Sequence, residues 1–216
     1  MQFHWLNKQN NSKLIVFFAG WSFDYRPFEF LKCGNYDVLC IYDYNEISEL
    51  PRLENYSTKY LISWSMGVFI AYKLRNSLPA FDKKTAINGT VYPVDDEFGI
   101  PKKVFLLTLR SAKAGLEGKF YQNVFDETGE YEKYCKNPAE RSIENQVSEL
   151  NNLYGLIKET DEKYEKYYDN AIISLRDKII PAKNQIKFWD DFDTLYKTVE
   201  SGHFPYYNYK CWEDLL

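Results

Sequence analysis

Ser65 stands in Lys59-Tyr-Leu-Ile-Ser-Trp-Ser-Met-Gly-Val-Phe-Ile-Ala-Tyr-Lys73, where a short apolar run meets a tight turn and then a helical pattern of apolar residues. A strand–turn–helix of this kind lifts a serine hydroxyl above the sheet edge and aims the first helix amides at the same spot. A hydroxyl is a weak nucleophile without an adjacent base, and the chain holds only two histidines. His203 lies near the end of the chain in Ser201-Gly-His-Phe-Pro205, in a loop after an apolar run. His4 precedes the first recognisable strand and is expected to be structural or exposed. Asp177, in Leu175-Arg-Asp-Lys-Ile-Ile-Pro181, follows another apolar run and suits an acid that orients an imidazole and stabilises its charged form. Asp95 and Asp96, in Tyr92-Pro-Val-Asp-Asp-Glu-Phe-Gly99, are the rival acids. Serine, base and acid together point to nucleophilic acyl transfer.

Acyl transfer also needs donors for the developing oxyanion. Ala19-Gly20-Trp21-Ser22 ends an apolar strand, and Gly20 permits a sharp turn that faces the Trp21 amide toward Ser65. With the Met66 amide this makes a two-donor oxyanion hole, each donor worth about 3 kcal/mol. Ser63 stands where a G-x-S-x-G turn has its first glycine; the neighbouring strand crowds that position, and serine is small enough at the cost of one hydroxyl to satisfy.

The positioning elements are legible as continuous apolar runs: 13–19, 37–42, 60–63, 84–88, 170–175 and 194–199. Such runs suit strands buried on both faces, and their alternation with helical patterns predicts an α/β fold with a mostly parallel central sheet. Residues from about 103 to 165 differ, being helical, polar and aromatic, and are expected to form a helical lid inserted into one domain that spans 1–216. The active site belongs at the carboxyl ends of the strands, beneath that lid.

Composition narrows the class. A chain of 216 residues with 45% hydrophobic content can bury a substantial core, and aromatics reach 18%, enough to line a pocket as well as the core. The net charge of −4 argues against nucleic-acid binding. Cys33, Cys40, Cys135 and Cys211 lack metal-ligand spacing, so no metal site is expected. The opening residues are polar and the run 14–19 is too short for a signal peptide or a membrane span, which leads to the expectation of a cytoplasmic protein with reduced thiols.

Taken together, Phe18-Ala-Gly-Trp-Ser22, Ser63-Trp-Ser-Met-Gly67, Ile87-Asn-Gly-Thr90, Tyr92-Pro-Val-Asp-Asp-Glu-Phe-Gly-Ile-Pro101, Arg176-Asp-Lys-Ile-Ile-Pro181 and Ser201-Gly-His-Phe-Pro205 resemble one family over nearly the whole chain. It is the compact BioG-type pimeloyl-[acyl-carrier protein] methyl ester esterases of biotin synthesis, which have an α/β-hydrolase fold. The resemblance implies hydrolysis of the methyl ester of pimeloyl-[acyl-carrier protein] to the free acid and methanol. Ser65 would be the nucleophile, His203 the base and Asp177 its orienting acid, with the Trp21 and Met66 amides holding the oxyanion and no cofactor. The partner would be an acyl-carrier protein, with neither nucleic acid nor membrane involved. Lys102, Lys103, Arg110, Lys113 and Lys119 are the local basic residues that suit an acidic carrier, and Phe23 is a candidate substrate contact. Two other readings stay open: a carrier or CoA thioesterase or general short-chain esterase with the same triad, and a non-enzymatic carrier-binding module.

Overall fold

In the computed structural model, residues 1–112, 119–160 and 163–216 are described, with backbone alone for 119 and 128. Seven strands form one sheet in the order β1-β3-β2-β4-β5-β6-β7. Six of them run parallel: β2 (Lys13–Phe18), β3 (Tyr36–Tyr42), β4 (Thr58–Trp64), β5 (Lys83–Ile87), β6 (Asn170–Ser174) and β7 (Leu195–Val199). These fall on the apolar runs of the sequence. Alternation along β2 shows why such a run is needed, since Leu14, Val16 and Phe18 enter the core on one face while Ile15 and Phe17 enter the core on the other. All five are wholly buried.

β1 (Gln2–Asn7) pairs antiparallel with β3 and was not anticipated. Its alternation is short: Phe3 and Trp5 pack on one core face, and His4 between them stacks on the Tyr25 ring at 3.4 Å. Flanked by polar residues, three positions of alternation do not stand out from a polar terminus. His4 is thus structural. The strand covers an edge of β3 that would otherwise present unpaired backbone groups.

The chain leaves β2 for β3, returns past β2 to β4, and then steps outward through β5, β6 and β7. The loops after β2 and β4 therefore diverge, opening a crevice at the carboxyl ends of these neighbours. Helix α1 (Met66–Lys73) follows β4 directly, and α6 (Ala182–Asp191) connects β6 to β7. The long β5–β6 connection carries α2 (Lys102–Ser111), α3 (Lys119–Val124), α4 (Thr128–Tyr134) and α5 (Ile143–Lys158). Among the described residues, no helix is long and apolar enough to cross a membrane.

Helix α1 starts hard against β2. A Cβ at Gly67 would lie 2.4 Å from the Phe18 carbonyl oxygen and 2.6 Å from that of Ala19. Neither backbone atom is free to move, so Gly67→Ala must push the helix start off the sheet. Overpacking of this kind costs about 1–3 kcal/mol, and the expected result is a melting temperature lowered by roughly 2–12 °C. A thermal melt of the variant checks this.

Candidate active site

Ser65 is the hinge between β4 and α1, and its backbone is held at φ 56°, ψ −126°. A non-glycine residue in that region costs on the order of 1–3 kcal/mol, so the surroundings must impose it. They do so by contact. The Ser65 amide donates to the Ile87 carbonyl at 3.0 Å, and the Ser65 carbonyl accepts from the Val68 amide at 3.0 Å. A Cβ at Gly20 would approach the Trp64 ring to 2.9 Å and Ser65 Cβ to 3.1 Å. One at Gly89 would approach the Ser65 carbonyl oxygen to 2.6 Å. Ser63 is wholly buried, and its hydroxyl lies against Tyr168 without a well-formed hydrogen bond.

The sequence-derived residues Ser65, His203 and Asp177 meet. Ser65 Oγ lies 2.8 Å from His203 Nε2, and His203 Nδ1 lies 2.8 Å from Asp177 Oδ2. All three are buried. A carboxylate only accepts, so Nδ1 carries the proton and Nε2 presents its lone pair to the serine hydroxyl. The Asp177 carboxylate is itself fixed: Oδ1 accepts from the Ile179 and Ile180 amides at 2.8 and 2.9 Å, and Oδ2 accepts from Gln185 Nε2 at 3.0 Å. The rival acids are occupied elsewhere. Asp95 accepts from the Glu97 and Phe98 amides of its own turn, and Asp96 from the Lys102 amide at the start of α2.

His203 is placed by its main chain. Its carbonyl accepts from the Trp64 indole at 2.8 Å and from Asn88 Nδ2 at 3.0 Å. Asn88 also bonds the amide and hydroxyl of Ser174, so the ends of β4, β5 and β6 converge on the histidine loop. Sequence reasoning did not assign Trp64, Asn88 or Gln185 to the site. Trp64 and Asn88 stand inside motifs quoted above without a role of their own, whereas Gln185 left a local signal: it interrupts the apolar stripe that continues at Phe188 and Trp189 of α6, and it is wholly buried.

Ser65 and His203 open into a cavity of about 340 Å³, with Trp21, Phe23 and Met66 also on its wall. Among the described residues, neither the Trp21 nor the Met66 backbone amide has a protein acceptor, and both residues line the cavity with Ser65. The rest of the wall is mostly apolar, from Ile100 and Phe105 through Phe120, Leu150 and Ile179. Thr108, Ser111, Asn123 and Lys178 add polar atoms. Lys103 and Arg110 are exposed on α2, and Lys102 is exposed with Asp95 at 3.9 Å. Lys113 lies outside the described residues, and of Lys119 only the backbone is described. No cluster of His, Cys, Asp and Glu among the described residues is suited to a metal ion. The arrangement can therefore attack a carbonyl, stabilise the oxyanion, and shuttle one proton.

The family model for the pimeloyl-ACP methyl esterase BioG matches residues 1–215. An uncharacterized protein of Haemophilus influenzae is 30% identical over 203 residues, which cover 94% of this chain and 93% of that protein. A malonyl-[acyl-carrier protein] O-methyltransferase of Bacteroides fragilis is 29% identical over 192 residues, covering 88% of this chain but only 39% of that protein. The crystal structure of BioG from Haemophilus influenzae superposes with a TM-score of 0.90 at 29% identity, covering 100% of this chain and 99% of that one. An esterase from Exiguobacterium antarcticum shares the fold at a TM-score of 0.63 and 17% identity, over 92% of this chain and 87% of that one.

With only two histidines in the chain, the hydrogen bond between His203 and Asp177 is directly observable. Proton NMR is expected to show one strongly downfield imidazole N–H resonance. Asp177→Asn should abolish it and Ser65→Ala should retain it, because the serine contacts the other ring nitrogen.

Proposed function

Because the chain belongs to the family of the pimeloyl-ACP methyl esterase BioG, we propose that it hydrolyses the methyl ester of a pimeloyl group borne by acyl-carrier protein. The observation that carries this is the serine–histidine–aspartate relay, with 2.8 Å at each link, on the wall of an apolar cavity. Ser65 Oγ attacks the ester carbonyl while His203 Nε2 takes its proton. The tetrahedral oxyanion is received by the Trp21 and Met66 amides. Collapse expels methanol, protonated by His203, and leaves the acyl group on Ser65. Water then attacks the acyl-enzyme, gives a proton to the same nitrogen, and releases the carboxylic acid and the free serine. Asp177 holds the imidazole in the required tautomer and stabilises its charged form.

The cavity favours the ester over its product. A neutral methyl ester enters an apolar wall at little cost, whereas the free carboxylate loses hydration there and is a poor electrophile. Helices α2, α3 and α5 act as the cap and add Val104, Phe105, Phe120, Val124 and Leu150 to the apolar wall. The Bacteroides fragilis relative supports a carrier-bound methyl ester, since a protein named for methylating an acyl group on its carrier contains a segment similar to this chain. The two chemistries are opposite steps on one type of ester.

Carriers are acidic and this chain carries −4, so docking requires a local basic surface effective within a Debye length of about 8–10 Å. Helix α2 offers one at the cavity rim. Lys103 and Arg110 are exposed two turns apart, and the exposed Val104 and Leu107 lie between them. Val104 also lines the cavity.

Two measurements test this reading. Ser65→Ala should lose hydrolysis of both a p-nitrophenyl ester and the carrier-bound ester, together with fluorophosphonate labelling; activity above a few per cent of wild type would mean the nucleophile lies elsewhere. Lys103→Glu combined with Arg110→Glu should weaken turnover of the carrier-bound ester and spare a small free methyl ester, with added salt reproducing the defect in wild type. An equal loss on both substrates would place the carrier on another face.

A further inference from the structure

A buried ion pair at the start of α5 grips the two loops beside the nucleophile. Glu149 and Arg141 have side chains 0% and 4% exposed, with 2.6 Å between Glu149 Oε2 and Arg141 Nη1. Glu149 Oε2 also accepts from the Ser22 amide at 3.2 Å, and Oε1 accepts from the Tyr44 amide at 2.8 Å. One carboxylate thus ties the loop after β2 to the loop after β3. Arg141 adds the Phe23 carbonyl at 3.4 Å and Asp43 at 3.2 Å. The Trp21 indole donates to the Gln146 carbonyl of the same helix at 2.8 Å. The residues gripped here are strained, Ser22 at φ 71° and Asp43 at φ 58°, so an outside constraint is needed to hold them.

A buried charged pair is costly to form and is weak evidence for stability by itself. Its placement gives it a use. Burial pushes the Glu149 carboxyl up from the usual carboxylate range, and the opposing pulls come from Arg141 and the two loop amides. The carboxylate takes the Ser22 amide, while the preceding Trp21 amide has no protein acceptor among the described residues, and Trp21 lines the cavity together with Ser65. We infer that Glu149, charge-balanced by Arg141, is the positioning residue that aims the Trp21 amide at the oxyanion. This rests on the acyl-transfer reading given above and assigns α5 a role in turnover: docking of the cap helix assembles the oxyanion hole.

The test uses a small p-nitrophenyl ester, so that carrier docking plays no part. Glu149→Gln keeps one acceptor oxygen for a loop amide but cannot serve both. The expected result is a kcat lowered by roughly 30- to 100-fold with KM unchanged, since a misaimed donor acts only on the transition state. An alkyl trifluoromethyl ketone, which forms an anionic tetrahedral adduct on serine, should lose affinity by the same factor. Its unfluorinated methyl ketone should bind as before. Wild-type kcat, or a parallel loss for both ketones, would reduce Glu149 to a stabilising residue and overturn the inference. Should Glu149→Gln fail to fold, the double variant Arg141→Met with Glu149→Gln removes both charges together and is read in the same way. Fluorophosphonate labelling separates the two levels of the argument: a wild-type protein that does not label at Ser65 overturns the acyl-transfer reading and the inference with it.

Discussion

The backbone of Ser65 is bent into a conformation that a serine does not choose, and the site is organised around keeping it there. Helix α1 must begin within van der Waals contact of the end of β2, which is why a side chain fits at neither Gly20 nor Gly67. The same closeness has a chemical return. It puts Met66, the first helical residue, and Trp21 on the wall of one cavity with Ser65. A looser junction would relax the turn and separate the proposed oxyanion donors from the proposed nucleophile.

The second ring of structure around the turn is polar and almost wholly buried. Asn88 and the Trp64 indole hold the main chain of His203, Gln185 and two amides hold Asp177, and Glu149 with Arg141 holds the loops that carry Trp21 and Tyr44. Buried polar groups cost free energy unless paired, and these are paired with backbone at loops that no sheet ladder supports. The arrangement exchanges stability for fixed geometry at strand ends. Among the described residues, four of the six non-glycine residues with positive φ, namely Ser22, Asp43, Ser65 and Asn88, lie just past the carboxyl ends of β2, β3, β4 and β5.

Much of this was legible in the sequence, for a physical reason. Parallel strands buried on both faces are written as unbroken apolar runs, so β2 to β6 were visible; β7 lies largely exposed at the sheet edge and was legible only as the run 194–199. The strand–serine–helix pattern located Ser65. With so few histidines, His203 followed almost by elimination, and Asp177 from its place after an apolar run. β1 was missed because Phe3-His4-Trp5 is too short an alternation to stand out. Arg141 and Glu149 look like ordinary charges on a solvated helix; only folding brings Glu149 to an amide 127 residues away in sequence. Asn88 was visible as part of a family motif, but its link to the carbonyl of His203 is a tertiary fact that no local pattern encodes.

The proposed activity is cleavage of an ester at the far end of an acyl chain with the carrier attachment left intact. Intact-mass measurement of pimeloyl-carrier methyl ester after incubation with the protein tests it most directly. The expected product is a carrier that keeps its acyl chain, lighter by the mass of one methylene, with methanol released in equal amount. Free carrier with its acyl chain removed would contradict it by showing attack at the thioester, and an unchanged carrier would show that this ester is not the substrate.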